Sequence, residues 1–157
     1  LDGSLDIEYA RNLVGRDVYN EMVSSHDGNL AQYLEKFYLP DELMTDYDTI
    51  VEFTYRLAKQ LEKEDVIYAE IRFCPLFHIK GGLTLDEVIE SILEGLKNDK
   101  VKTNLILCMM RGFPFEENVK IIDLAYKYLN KGVCAVDLAG DEKGHKLKEH
   151  IELFEIM

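Results

Sequence analysis

Short apolar runs and helical stripes alternate through most of this chain, and the order in which they come predicts its architecture. From Asp6 to about Lys63 the spacing is helical: Leu30, Leu34 and Phe37 recur on one face, as do Ile50, Phe53, Leu57 and Leu61. Asp27-Gly28-Asn29 is a turn signal, and Pro40 with the acids after it is expected to separate helices. Beyond Glu64 a repeating unit takes over. Val66 to Phe73, Thr103 to Met110 and Gly132 to Ala139 are short and mostly apolar, as expected for parallel strands buried on both faces. Between them Thr84-Leu-Asp-Glu87 reads as a capping box, followed by a stripe of Leu85, Val88, Ile89, Ile92, Leu93 and Leu96. Val119, Ile122, Tyr126 and Leu129 form the next stripe, and Leu147, Ile151 and Phe154 the last.

Residues 1–63 therefore read as a helical segment and 64–157 as three strand–helix units, an α/β fold with a parallel sheet. Gly81-Gly82 and Phe113-Pro114-Phe115 look like strand-to-helix connections rather than domain boundaries. A closed (β/α)8 barrel takes roughly 250 residues, so three strands in 157 residues are expected to be one piece of a larger protein.

Composition narrows the function classes. Apolar residues make up 47% and charged ones 31%, a globular balance. Lys and Arg total 18 against 30 Asp and Glu, a net charge of −12 that repels phosphate backbones, so no nucleic-acid partner is expected. No apolar run is long enough for a membrane span. Cys74, Cys108 and Cys134 lie in apolar runs and are expected to be reduced, buried thiols of a cytoplasmic protein.

Chemistry in parallel α/β folds sits at the carboxyl ends of the strands. Those ends read Arg72-Phe-Cys-Pro75, Arg111-Gly112 and Gly140-Asp141-Glu142. Glu70 and Arg72, two apart in one strand, share a face and are expected to form an internal ion pair. Asp137 either accepts hydrogen bonds from a neighbouring strand or touches a ligand. His26, His78, His145 and His150 show no converging metal-type spacing and read as ordinary surface or structural residues. No Gly-rich nucleotide-phosphate cradle is present.

Four stretches, in order, resemble the adenosine deaminase family. Leu1-Asp2-Gly3-Ser4 resembles the end of its His-x-His-Leu-Asp-Gly-Ser motif, and Tyr68-Ala-Glu-Ile-Arg-Phe-Cys-Pro75 with His78 the motif on the second barrel strand. Cys108-Met-Met-Arg111 resembles the third strand, and Asp137-Leu-Ala-Gly-Asp-Glu142 the fourth. The resemblance implies a partial (β/α)8 barrel running from the end of strand 1 through the helix after strand 4. It implies one catalytic Zn2+ and hydrolytic deamination of adenosine or deoxyadenosine, the zinc-bound water being activated by the metal. The zinc histidines would precede Leu1 and the remaining ligands and catalytic glutamate would follow Met157, so this chain would hold no metal ligand and be inactive alone. By the same resemblance Asp2 would bind the ribose 5′-hydroxyl and the Gly140 N–H would meet purine N3. Leu30, Tyr33, Leu34 and Phe37 resemble a gating helix over the pocket, with ordinary helix packing an equal reading. Arg72 and Arg111 are expected to pair structurally. The alternatives are an adenine deaminase or nucleotide-directed relative, and a non-catalytic α/β module. A carboxylate at Asp2 favours a nucleoside purine substrate over its 5′-phosphate.

Overall fold

The computed structural model describes residues 1–23, 28–98 and 100–157. Three parallel strands, β1 (Tyr68–Phe73), β2 (Lys102–Met110) and β3 (Val133–Ala139), form one sheet in the order β1-β2-β3. Before them come helices α1 (Ile7–Val14), α2 (Tyr19–Met22), α3 (Leu30–Leu34), α4 (Tyr38–Leu43) and α5 (Tyr47–Lys63). Helix α6 (Leu85–Gly95) joins β1 to β2, α7 (Phe115–Tyr128) joins β2 to β3, and α8 (Ile151–Glu155) follows.

The capping box at α6 is complete: the Glu87 amide donates to Thr84 Oγ1 (3.2 Å), and the Glu87 carboxylate accepts from the Thr84 amide (2.8 Å). Asp46 caps α5 through the Thr49 amide. Pro40 does not separate helices but sits inside the first turn of α4, where a missing N–H removes no intrahelical bond. The break falls instead at residues 44–46. His26 and Asp27 lie outside the described residues.

The core lies between the sheet and the helices. Ile71 and Phe73 of β1, and Leu105, Leu107 and Met109 of β2, meet Ile50 and Phe53 of α5, Val88, Ile89 and Ile92 of α6, and Ile121 and Ile122 of α7. Gly95 lets α6 approach α5: a Cβ there would stand 1.9 Å from Thr54 Oγ1 and 2.3 Å from the Val51 carbonyl. Asn118, fully buried at the start of α7, accepts from the Met110 amide (2.8 Å) and donates to the Met110 carbonyl (3.0 Å). One amide side chain thus replaces a missing strand at the end of β2 and fixes where the Arg111-Gly112 loop begins.

Four expectations about burial change. Strand β1 is buried on one face only along this chain, since Tyr68, Glu70 and Arg72 are exposed while Ile71 and Phe73 are not, whereas β2 buries Leu107, Cys108 and Met109 in succession, on both faces. On α7 the buried face is Asn118, Ile121, Ile122, Leu124 and Tyr128, leaving Tyr126 and Leu129 outside. On the last helical stretch, His150 and Leu153 are inward, and Leu147, Ile151 and Phe154 outward. A residue's apolar character does not say which neighbour is there to cover it. Cys134 is exposed because the β2–β3 register slips between Leu105 and Ile106, leaving it as the extra residue of a bulge. Cys74 and Cys108 are buried as expected, with thiols pushed up to about 12 by desolvation.

Candidate active site

The amino nitrogen of Leu1 donates to the Arg72 carbonyl (2.6 Å), which sets residue 1 beside the carboxyl end of β1. The turn Asp2–Ser4 then directs Asp2 inward, where the residue is only 8% exposed. Beyond β1, the turn Pro75–Phe77 brings the chain back so that His78 lies fully buried against the same carboxylate. His78 Nε2 is 3.2 Å from Asp2 Oδ1, an ion-pair contact bent away from hydrogen-bond alignment. Nδ1 lies 3.1 Å from the Met44 carbonyl. Because a carbonyl only accepts, Nδ1 carries the hydrogen. Gly81 makes this contact possible: a Cβ there would stand 2.0 Å from the Thr45 carbonyl, so the His78 loop lies directly on the 44–45 turn.

Asp41 of α4 completes the cluster. Its ligand atom and those of Asp2 and His78 lie within 4.8 Å of one another, and all three residues are buried. Burial raises the Asp41 carboxyl, the Asp2 charge raises it further, and His78 and Lys80 offset only part, leaving it at about 7. Burial also acts to raise Asp2, but the His78 contact and charge outweigh it and hold that carboxyl below its ordinary range.

This is the one group among the described residues that could hold a metal ion, and it does not fit a catalytic zinc. Such a zinc keeps one coordination position open to water. Here Asp2 Oδ1, Asp41 Oδ1 and His78 Nε2 are all sealed from solvent, with a single imidazole among them.

The other strand ends carry the remaining site candidates. Gly140 closes β3 at φ 105°, and a Cβ there would meet Met110 Cε at 3.2 Å and the Arg111 amide nitrogen at 3.4 Å. The Arg111 guanidinium donates to the His145 carbonyl (3.2 Å) and lies 3.5 Å from Glu142, clasping the exit loops of β2 and β3 together. Glu70 and Arg72 do not pair with each other. Arg72 reaches diagonally over β2 to Asp137 (3.0 Å), and Glu70 accepts from the Tyr68 hydroxyl (2.8 Å). The long guanidinium stem leans toward the carboxyl end of the sheet, where Asp137 stands opposite Cys108, two rows beyond Arg72's own partner Ile106. Asp137 thus has an inter-strand partner.

Phe37 lies against the Asp2 turn, with Gly3's Cβ position 3.6 Å from its ring, and Tyr33 packs edge-on to Phe37 at 5.4 Å. Leu30 and Tyr33 are 43% and 45% exposed, and Leu34 and Phe37 are partly buried, so this face is not closed into the core. Asp2, His78 and Asp41 meet in one cluster, the Leu30-to-Phe37 face borders it, and Gly140 stands apart at the end of β3. Sequence reasoning missed that Asp41 and His78 meet Asp2 in one buried cluster. His78 lies within the motif that carries the resemblance, three residues past Pro75, with no second histidine at metal spacing to single it out. Asp41 is one of several acids in its stretch and carried no signal of its own.

Comparison with known proteins supplies the context. The family model described as adenosine deaminase matches residues 15–157. Adenosine deaminase of Clostridium kluyveri is 38% identical over 170 aligned positions, covering 98% of this chain and 49% of the relative. The chain thus spans about half the length of the curated relatives it matches. Among solved structures, Arabidopsis ADAL complexed with IMP superposes with a TM-score of 0.82 at 22% identity, over 99% of this chain and 52% of that one. An amidohydrolase of Burkholderia ambifaria with bound zinc gives 0.79 at 14% identity, over 98% and 46%. These likenesses make the three-stranded sheet with its helices part of a (β/α)8 barrel.

Proposed function

The chain belongs to the adenosine deaminase family, and on that footing we propose that it is the part of a hydrolytic purine-nucleoside deaminase that binds the ribose, converting adenosine or deoxyadenosine to inosine or deoxyinosine. The observation that carries this reading is Asp2, a carboxylate held at the carboxyl end of the sheet and sealed on one oxygen by His78. Asp2 accepts the 5′-hydroxyl of the nucleoside. A free hydroxyl donates to it, whereas a 5′-phosphate would bring negative charge against it in a dry site. Gly140 offers its backbone N–H to purine N3, at a position where any side chain would crowd Met110 and Arg111. Leu30, Tyr33, Leu34 and Phe37 cover the pocket and limit water entry.

Zn2+ is the cofactor of the complete enzyme, as it is bound in the Burkholderia amidohydrolase, with its ligands outside these 157 residues. The isolated chain is therefore inactive. Zinc-dependent turnover of adenosine by the isolated 157-residue polypeptide would contradict that part of the reading.

The test of the ribose contact compares adenosine with 5′-deoxyadenosine in the full-length, zinc-loaded protein. Asp2→Ala raises KM for adenosine about tenfold or more and leaves 5′-deoxyadenosine nearly unchanged. Equal effects on the two substrates reject the assignment.

A further inference from the structure

We propose that His78 and Asp41 are positioning residues for Asp2, holding one carboxylate oxygen at the floor of the site so that the rest of the group faces the nucleoside 5′-hydroxyl. The inference rests on the ribose-binding reading of Asp2 and adds to it the two residues that make the carboxylate rigid.

The geometry argues in three steps. First, the His78 ring is locked: it is fully buried, and its Nδ1 hydrogen is committed to the Met44 carbonyl at 3.1 Å. The carbonyl is itself held by the close packing of Gly81 on Thr45. Second, that lock aims Nε2 at Asp2 Oδ1, 3.2 Å away, and neither atom has an aligned hydrogen-bond partner among the described residues. Third, a carboxylate oxygen of Asp41 lies within 4.8 Å of both, and its Oδ1 is sealed from water without an aligned partner of its own.

Two bare acceptors 3.2 Å apart in a dry site would repel each other, so Nε2 carries a hydrogen toward Asp2, and the Asp41 carboxyl, within 4.8 Å, closes the third side of the cluster. That hydrogen ties the Asp2 oxygen to a fixed point. The Asp2 side chain keeps a tenth of its surface exposed, and that remainder is what it has left to offer a ligand. A carboxylate fixed in this way meets the incoming hydroxyl without first being ordered, which lowers the cost of binding. The contribution falls on KM because the 5′-hydroxyl lies far from the purine C6 where bonds change.

The experiment uses the full-length, zinc-loaded protein and the same two substrates. His78→Asn keeps a donor for the Met44 carbonyl but removes the nitrogen facing Asp2, whereas His78→Gln extends an amide to the Nε2 position. His78→Asn is expected to raise KM for adenosine about tenfold with kcat within about twofold, and to leave 5′-deoxyadenosine within about twofold. His78→Gln recovers most of the loss.

Equal losses on both substrates would make His78 a packing residue and overturn the proposal, as would an unchanged KM for adenosine. If His78→Asn does not accumulate as folded protein, Asp41→Ala carries the same comparison, with the same split expected and the same equality overturning it. Asp2→Ala run alongside separates the two layers. If it discriminates between the substrates and the His78 and Asp41 variants do not, the positioning role falls and the ribose contact stands. If Asp2→Ala itself fails to discriminate, both fall.

Discussion

Replacing Asp41 with asparagine isolates the cost of burying an ionisable group beside a second carboxylate. Asp41 is 7% exposed, and its carboxyl titrates at about 7 rather than the ordinary 3.8. Between those values the unfolded chain has released the proton while the folded protein keeps it. The unfolded state therefore binds fewer protons, and the contribution of Asp41 to stability falls as pH rises from about 4 to about 7, then levels off. Three units of pH at 1.36 kcal/mol each amount to a total of about 4 kcal/mol, of which about 3 kcal/mol falls between about pH 5 and about pH 8. Asparagine keeps the shape and cannot ionise. Urea unfolding of the parent chain and Asp41→Asn at those two pH values reads the difference directly. The variant should gain about 3 kcal/mol relative to the parent on going from about pH 5 to about pH 8. Carboxylates held low, among them Asp6 and Asp86, tilt stability the opposite way but do so in both proteins, so they cancel in the comparison. Parallel pH profiles, agreeing within about 0.5 kcal/mol, would show that Asp41 ionises as freely folded as unfolded and would refute the reasoning.

Two further substitutions test the frame that carries the site. Asn118→Ala strips both hydrogen bonds from the Met110 peptide groups and should cost about 2–4 kcal/mol in urea unfolding; a loss below about 0.5 kcal/mol would mean another group takes its place. Gly95→Ala drives a methyl into Thr54 Oγ1 and the Val51 carbonyl, and should cost about 2–3 kcal/mol by separating α5 from α6. Thr54→Ala in the same protein should recover part of that loss, and no recovery would place the strain elsewhere.

The candidate cluster shows how physical context overrides residue type. The pKa values of Asp2 and Asp41 move in opposite directions although both are buried aspartates a few ångströms apart. Asp2 has the imidazole beside it to outweigh its burial, while for Asp41 burial comes first, the charge of Asp2 adds to it, and His78 and Lys80 offset only part. No property of either residue's local sequence carries that distinction.

Periodicity alone was enough to place the three strands and the long helices, because a strand or helix must present an apolar face at its own repeat wherever it packs. The α6 capping box was legible for the same reason, since its bonds are made between residues three apart. Where the carboxyl ends of the strands fall was legible because a parallel sheet puts all of them on one edge. Only the tertiary structure decided which apolar faces are covered. The outward Tyr126, Leu129, Leu147, Ile151 and Phe154 look in sequence like any buried stripe. It also decided that Arg72 pairs with Asp137 rather than Glu70, since parallel register across two ladders brings residues 65 positions apart within reach. And it alone brought Asp2, Asp41 and His78 together from a turn, a short helix and a loop. Local spacing encodes elements one at a time. A site assembled from three of them exists only once the chain has folded back on itself.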